Sequence, residues 1–121
     1  MKVTVQNGAK HGLSRREAEA IVHVLPSSLC NAAKSLVLYA TVESTIRVTY
    51  CPKEQIVGLY WPSAEHLAPS KSEAVNELLV TLSIIAERGN LPEQVAHSLR
   101  LRHLEAVSAL RRKCERALCQ A

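Results

Sequence analysis

The chain has 121 residues, 47% of them apolar, a formal net charge of +4 and four cysteines. That length suits a single domain large enough to bury a core. The apolar content and clear periodicity exclude a disordered chain, and no apolar run approaches the roughly 20 residues of a membrane-spanning helix.

There is no Phe, and Trp61, Tyr39, Tyr50 and Tyr60 are the only aromatic residues, so the core is expected to be Leu, Val, Ile and Ala. The opening Met-Lys-Val-Thr-Val-Gln lacks the apolar stretch of a signal peptide, and a cytoplasmic location is expected. Cys30, Cys51, Cys114 and Cys119 fit no C-x-x-C or zinc spacing and read as reduced thiols. No metal set and no cofactor is expected.

Val3 and Val5 alternate with polar neighbours as a short strand, broken by Asn7-Gly8. Ser14 and Glu17 then form a capping box, the reciprocal side-chain arrangement that satisfies free amides at a helix start. Ala18, Ile21, Val22 and Leu25 fall on one face of that helix, and Pro26 ends it. A loop or single turn runs on to Lys34.

Three strands are expected next. Leu36, Leu38, Ala40 and Val42 alternate with Val37, Tyr39 and Thr41, so both faces are apolar, as in a central strand. Ile46, Val48 and Tyr50 alternate with Arg47 and Thr49, leaving one face exposed. The third runs over residues 56–61 to Pro62, with Gly58 marking a bulge or a close approach. Short turns at Glu43-Ser44 and Cys51–Gln55 predict an antiparallel meander. The tyrosines are read as the large pieces of the core, although a sheet bearing aromatic rings can also stack bases.

After a linker at 63–69, residues 70–89 carry the clearest element. Ser70 and Glu73 make a second capping box. Val75, Leu78, Leu79, Leu82, Ile85 and Ala86 share one helical face, and Gly89 stops the helix. Asn90 and Glu93, with Pro92, predict a third cap and one long C-terminal helix. Leu99, His103, Ala106, Leu110, Cys114 and Ala117 recur along it at steps of three and four, widened by Val107 and Leu118. Leu101 and Leu104 sit off that stripe, so a break is expected near 98–104. From His97 onward six basic residues stand against two acidic ones, which accounts for the whole net charge.

Local chemistry is sparse. There is no Asp and no Gly-rich phosphate loop. The histidines, His11, His23, His66, His97 and His103, include no i,i+4 pair, and no local motif marks a nucleophile. A hydrolase would need residues brought together only by the fold, and would show as a concave pocket with a perturbed His or Glu. Asn76-Glu77-Leu78-Leu79-Val80, on a helix that follows strands, resembles the H-E-x-x-H helix of the zincin peptidases, where two His hold zinc and the Glu activates water. The likeness covers 14–89 and rests on the order of elements plus Glu77. Asn76 and Val80 depart from both ligand positions, so no catalytic residue carries over. Residues 13–20 resemble the opening helix of a LuxR-type helix-turn-helix, but Pro26 and a β-rich stretch stand where the recognition helix would follow.

The reading is one α+β domain over 1–121, with an α/β core at 14–89 and a helical segment at 90–121. A three- to four-stranded antiparallel sheet is covered by the N-terminal and central helices, beside a long basic C-terminal helix. The expected function is a non-enzymatic protein-interaction module: an adaptor, inhibitor or accessory factor. Its candidate contact residues are Tyr60, Trp61, Leu99, His103, Leu110 and Leu118. The stripe at 99–118 pairs either within the monomer or in a two-fold homodimer. The alternative is a nucleic-acid-associated protein using Arg102, Arg112, Lys113 and Arg116 on phosphates.

Overall fold

The computed structural model describes residues 1–6, 12–63 and 69–121. Asn7-Gly8, His11, His66 and most of the 63–69 linker lie outside them. The elements run β1 (Lys2–Val5), α1 (Arg15–Val24), α2 (Ser27–Cys30), β2 (Ser35–Thr41), β3 (Arg47–Cys51), β4 (Ile56–Pro62), α3 (Lys71–Arg88), α4 (His97–Ala106) and α5 (Ser108–Gln120). The α+β class stands, and no helix among the described residues is long and apolar enough to cross a membrane.

The sheet differs from the expected meander. Its order is β1-β2-β4-β3, with β1, β2 and β4 parallel and β3 antiparallel to β4. The turn at 42–46 does not fold β3 back onto β2. It carries the chain past the neighbouring position to the sheet edge, and the 52–55 turn returns β4 into the gap. The strands' own patterns explain this. β2 and β4 place Leu36 opposite Val57 and Leu38 opposite Leu59, all fully buried, while β3 is exposed at both ends. Two strands with a dry apolar row belong inside a sheet, and a short polar-flanked strand belongs at its edge.

Val3, Leu36, Leu38, Val57, Leu59 and Trp61 share the core face and join one buried cluster with residues of α1, α2, α3 and α5, against which Leu99 and Leu104 of α4 pack partly buried. The opposite face carries half-exposed Tyr39 and Tyr60, stacked at 4.7 Å and 12°. These two rings are therefore not core pieces, whereas Tyr50 lies on the core-face register and packs partly against the cluster. Gly58 is a close approach without a bulge: a Cβ there would meet Thr49 Oγ1 at 2.9 Å and both tyrosine rings at 3.1 Å, and the register runs unbroken through it.

The helix starts follow their caps. At Ser14 both halves of the box form, and at Ser70 the side chain accepts the Glu73 amide. Gly89 ends α3 at φ 73°, in the left-handed region that glycine enters without steric cost. With nine buried residues, α3 is the central helix of the domain.

The expected cap at Asn90 does not open a helix. Asn90 Oδ1 accepts the Leu91 amide at 2.9 Å, and α4 starts at His97 with no side-chain cap. Nor is the C-terminal helix continuous: it breaks at Val107, later than residues 98–104. α4 packs on α3, whereas α5 packs mainly on α1 and also on α3, so the chain must change direction between them. His103, Val107 and Cys114 are all buried, which fastens 90–121 to the rest of the domain.

Candidate functional site

Two places on α3 gather polar side chains beside a concavity. The first is a groove of about 370 Å³ between the entry to β3 and the two helices α3 and α4. Thr45, Ile46 and Leu104 line it together with Glu73, Asn76, Glu77 and Arg100. Arg100 grips Glu77 with both terminal nitrogens, one of them at 3.0 Å. Behind Asn76, Arg111 reaches its Oδ1 at 3.5 Å and leaves its own buried Nε without a partner. Ser72 hydrogen-bonds Glu115 nearby, so α3 and α5 meet through polar groups there.

This groove is where the zincin resemblance would put a metal, and the residues do not fit one. Asn76 offers an amide in place of an imidazole, and Val80 is 1% exposed, turned into the core. Glu77 is already committed to Arg100. Among the described residues no cluster of three metal-ligating side chains forms.

The second place centres on His103. Its side chain is 7% exposed, with Nδ1 2.7 Å from Ser83 Oγ and Nε2 2.7 Å from Glu87 Oε2. Arg102 donates to the same Glu87 oxygen at 2.8 Å. Desolvation works to raise the Glu87 carboxyl, but hydrogen bonds from His103 and Arg102 and their charges outweigh it and hold it below its ordinary value. An ionised Glu87 can only accept, so Nε2 carries a proton. In the neutral ring Nδ1 is then the acceptor for the Ser83 hydroxyl.

Ser83 also lines a cavity of about 500 Å³ walled by Val24, Leu29, Ala106, Val107 and Leu110, with Lys113 at the same cavity. Glu87 lies one turn beyond Ser83 on α3, so a single imidazole can bridge the pair.

The sequence-derived candidates scatter. Trp61 is 7% exposed and packs so closely over Gly12 that a Cβ there would sit 2.0 Å from its ring. With Pro62 also buried, the end of β4 is not the exposed contact surface its sequence suggested; Tyr60 alone faces outward, against Tyr39. Leu99, Leu110 and Leu118 are half-buried against the domain's own core, so the apolar stripe packs within the monomer. Of the four cations, Arg102 is tied to Glu87. Arg112, Lys113 and Arg116 are exposed on α5, and no ion pair forms on them among the described residues.

Sequence reasoning missed Ser83, Glu87 and Arg100. The available signal was small: Ser83 is a hydroxyl inside the apolar run 78–85, with a Glu one turn on.

No protein-family model, curated protein or solved structure matches the chain.

Proposed function

We propose that this chain is a protein-interaction module that takes an extended segment of its partner along the free edge of β3. One observation carries the reading: among the described residues β3 ends the sheet and pairs with β4 alone, and the groove of Ile46, Leu104 and the Glu77–Arg100 pair opens beside its first residue. An unpaired strand edge offers a row of backbone donors and acceptors to an added strand, and an adjacent pocket selects one of that strand's side chains. The Arg47–Glu43 ion pair stands at the same end and supplies the charge that keeps such an edge from pairing indiscriminately.

A second reading has its own support. Arg112, Lys113 and Arg116 form an exposed, unneutralised stripe of α5 suited to phosphates. One experiment separates the two. The tagged protein, its Ile46→Asp variant and its Arg112→Glu/Lys113→Glu/Arg116→Glu variant are used to capture partners from native lysate, with and without nuclease. Circular dichroism confirms that each variant folds. A stoichiometric protein that survives nuclease, is lost with Ile46→Asp and stays with the α5 variant is the expected result. Retention of every partner by Ile46→Asp would remove the β3 edge from consideration. Loss of all partners to nuclease or to the α5 variant would establish the nucleic-acid reading instead.

A further inference from the structure

We propose that Ser83 is an activated nucleophile that accepts an acyl group from an ester bound in the cavity between α1, α2, α3 and α5. The inference goes beyond the binding role and does not rest on it.

Three parts of an acyl-transfer site stand in sequence here. The nucleophile is Ser83 Oγ, in the lining of the cavity. The base is His103 Nδ1, 2.7 Å away. The group that orients the base is Glu87, 2.7 Å from Nε2. The two ring nitrogens exchange the roles they hold in the familiar serine-hydrolase triad, but the logic of nucleophile, base and orienting acid is the same. Arg102 on Glu87 keeps the acid ionised, which fixes the proton on Nε2 and leaves Nδ1 free to accept. The imidazole is nearly dry, so Ser83 is its hydrogen-bond partner on that side.

In the first step Ser83 Oγ bonds to the ester carbonyl carbon while its proton passes to His103 Nδ1. The carbon–oxygen bond to the alcohol then breaks, and the imidazolium returns that proton to the departing oxygen. The products are acyl-Ser83 and the alcohol. Water then passes a proton to the same nitrogen as its oxygen bonds to the acyl carbon; the carbon–Oγ bond breaks, the imidazolium returns the proton to Ser83 Oγ, and the acid leaves.

The apolar wall of Val24, Leu29, Val107 and Leu110 suits a hydrocarbon acyl chain, and Lys113 is the cation at the cavity for the oxyanion. Ser83 sits inside α3, so its own amide is spent on the helix and cannot serve as an oxyanion donor. Slow turnover follows, and the direct readout is therefore the acylated protein.

The full chain is incubated with p-nitrophenyl butyrate and, separately, an alkyl fluorophosphonate. Intact mass and peptide mapping then locate the adduct. One butyryl or phosphonyl group per chain on Ser83 is expected, and none at that position in Ser83→Ala, a change that favours the helix. Positioned general bases are worth roughly 100-fold or more, so His103→Gln is expected to slow acylation by that factor. Glu87→Gln, an exposed change, keeps the proposal testable should His103→Gln fail to fold, and is expected to slow acylation while the circular dichroism spectrum is unchanged. Absence of an adduct on Ser83, or labelling of Ser83 that His103→Gln and Glu87→Gln leave unchanged, would overturn the proposal.

Discussion

α4 is fastened to α3 at two points one turn apart, and they are built from different materials. At Arg100 the fastening is charge: a guanidinium forked onto Glu77, with both side chains about a third exposed. At His103 it is directional: a buried ring that accepts from the Ser83 hydroxyl at Nδ1 and donates to Glu87 at Nε2. The first is open to counter-ions and water, so its attraction is screened and its loss is made good by solvent. At the second the ring itself is almost wholly buried, so solvent makes good its loss less readily. Distance does not set the worth of either fastening; what matters is whether solvent can substitute for it.

The largest expected effect tests the dry side. His103→Ala removes a buried ring, leaves a void and strips Ser83 of its partner. Large-to-small changes with a lost hydrogen bond of this kind cost about 2–4 kcal/mol. Urea denaturation should show that loss at low and high salt alike. A cost below about 1 kcal/mol would mean that His103 is a surface contact and that the two fastenings are equivalent.

This contrast also marks how far the sequence could be read. His103 was visible as a residue on the apolar stripe, and its burial agrees with that position. Its partners were not visible, because Ser83 and Glu87 lie 20 and 16 residues away and meet it only after α4 folds back on α3. The starts of α1 and α3 and the stop at Gly89 were legible, since caps and periodicity are local chemistry. The placement of β4 between β2 and β3 was not. Turn lengths at 42–46 and 52–55 look alike in sequence, and the choice between a meander and an inserted strand is made by which strands bury both neighbours. The break at Val107 was hidden for a similar reason: steps of three and four continue through it, and it is the need to reach α1 that redirects α5. Tyr39 and Tyr60 were assigned to the core from composition, whereas Gly58 makes room for both rings on the open face.

A smaller effect is expected on the wet side. Arg100→Ala should cost less than about 1 kcal/mol, because exposed ion pairs rarely contribute more and Glu77 regains water. Denaturation midpoints of wild type and variant, compared at low salt and in 1 M NaCl, should converge as the pair is screened. A salt-independent cost would place the Glu77–Arg100 pair with His103 and would make the groove floor a rigid structural element.

The smallest effect is a titration, and it separates both fastenings from a third ion pair that joins α1 to α3. Lys71 Nζ sits 2.6 Å from Glu17 Oε2. Glu17 is raised by desolvation but lowered more strongly by hydrogen bonds from Lys71 and Ser14 and by the Lys71 charge, so its net displacement is downward. A carboxyl lowered in the folded state takes up its proton later than in the unfolded chain. On acidification the unfolded state therefore binds protons first, and stability falls. The contribution is full at neutral pH and is lost as the pH drops through the carboxylate range. Lys71→Met removes the ion-pair part of that displacement while Ser14 still holds Glu17 in the capping box. The acid limb of stability against pH should then be shallower than in wild type, with the difference vanishing at low pH. If the limb is unchanged, the acid sensitivity of this domain belongs to other carboxylates, and Glu87 beside His103 is the next to replace.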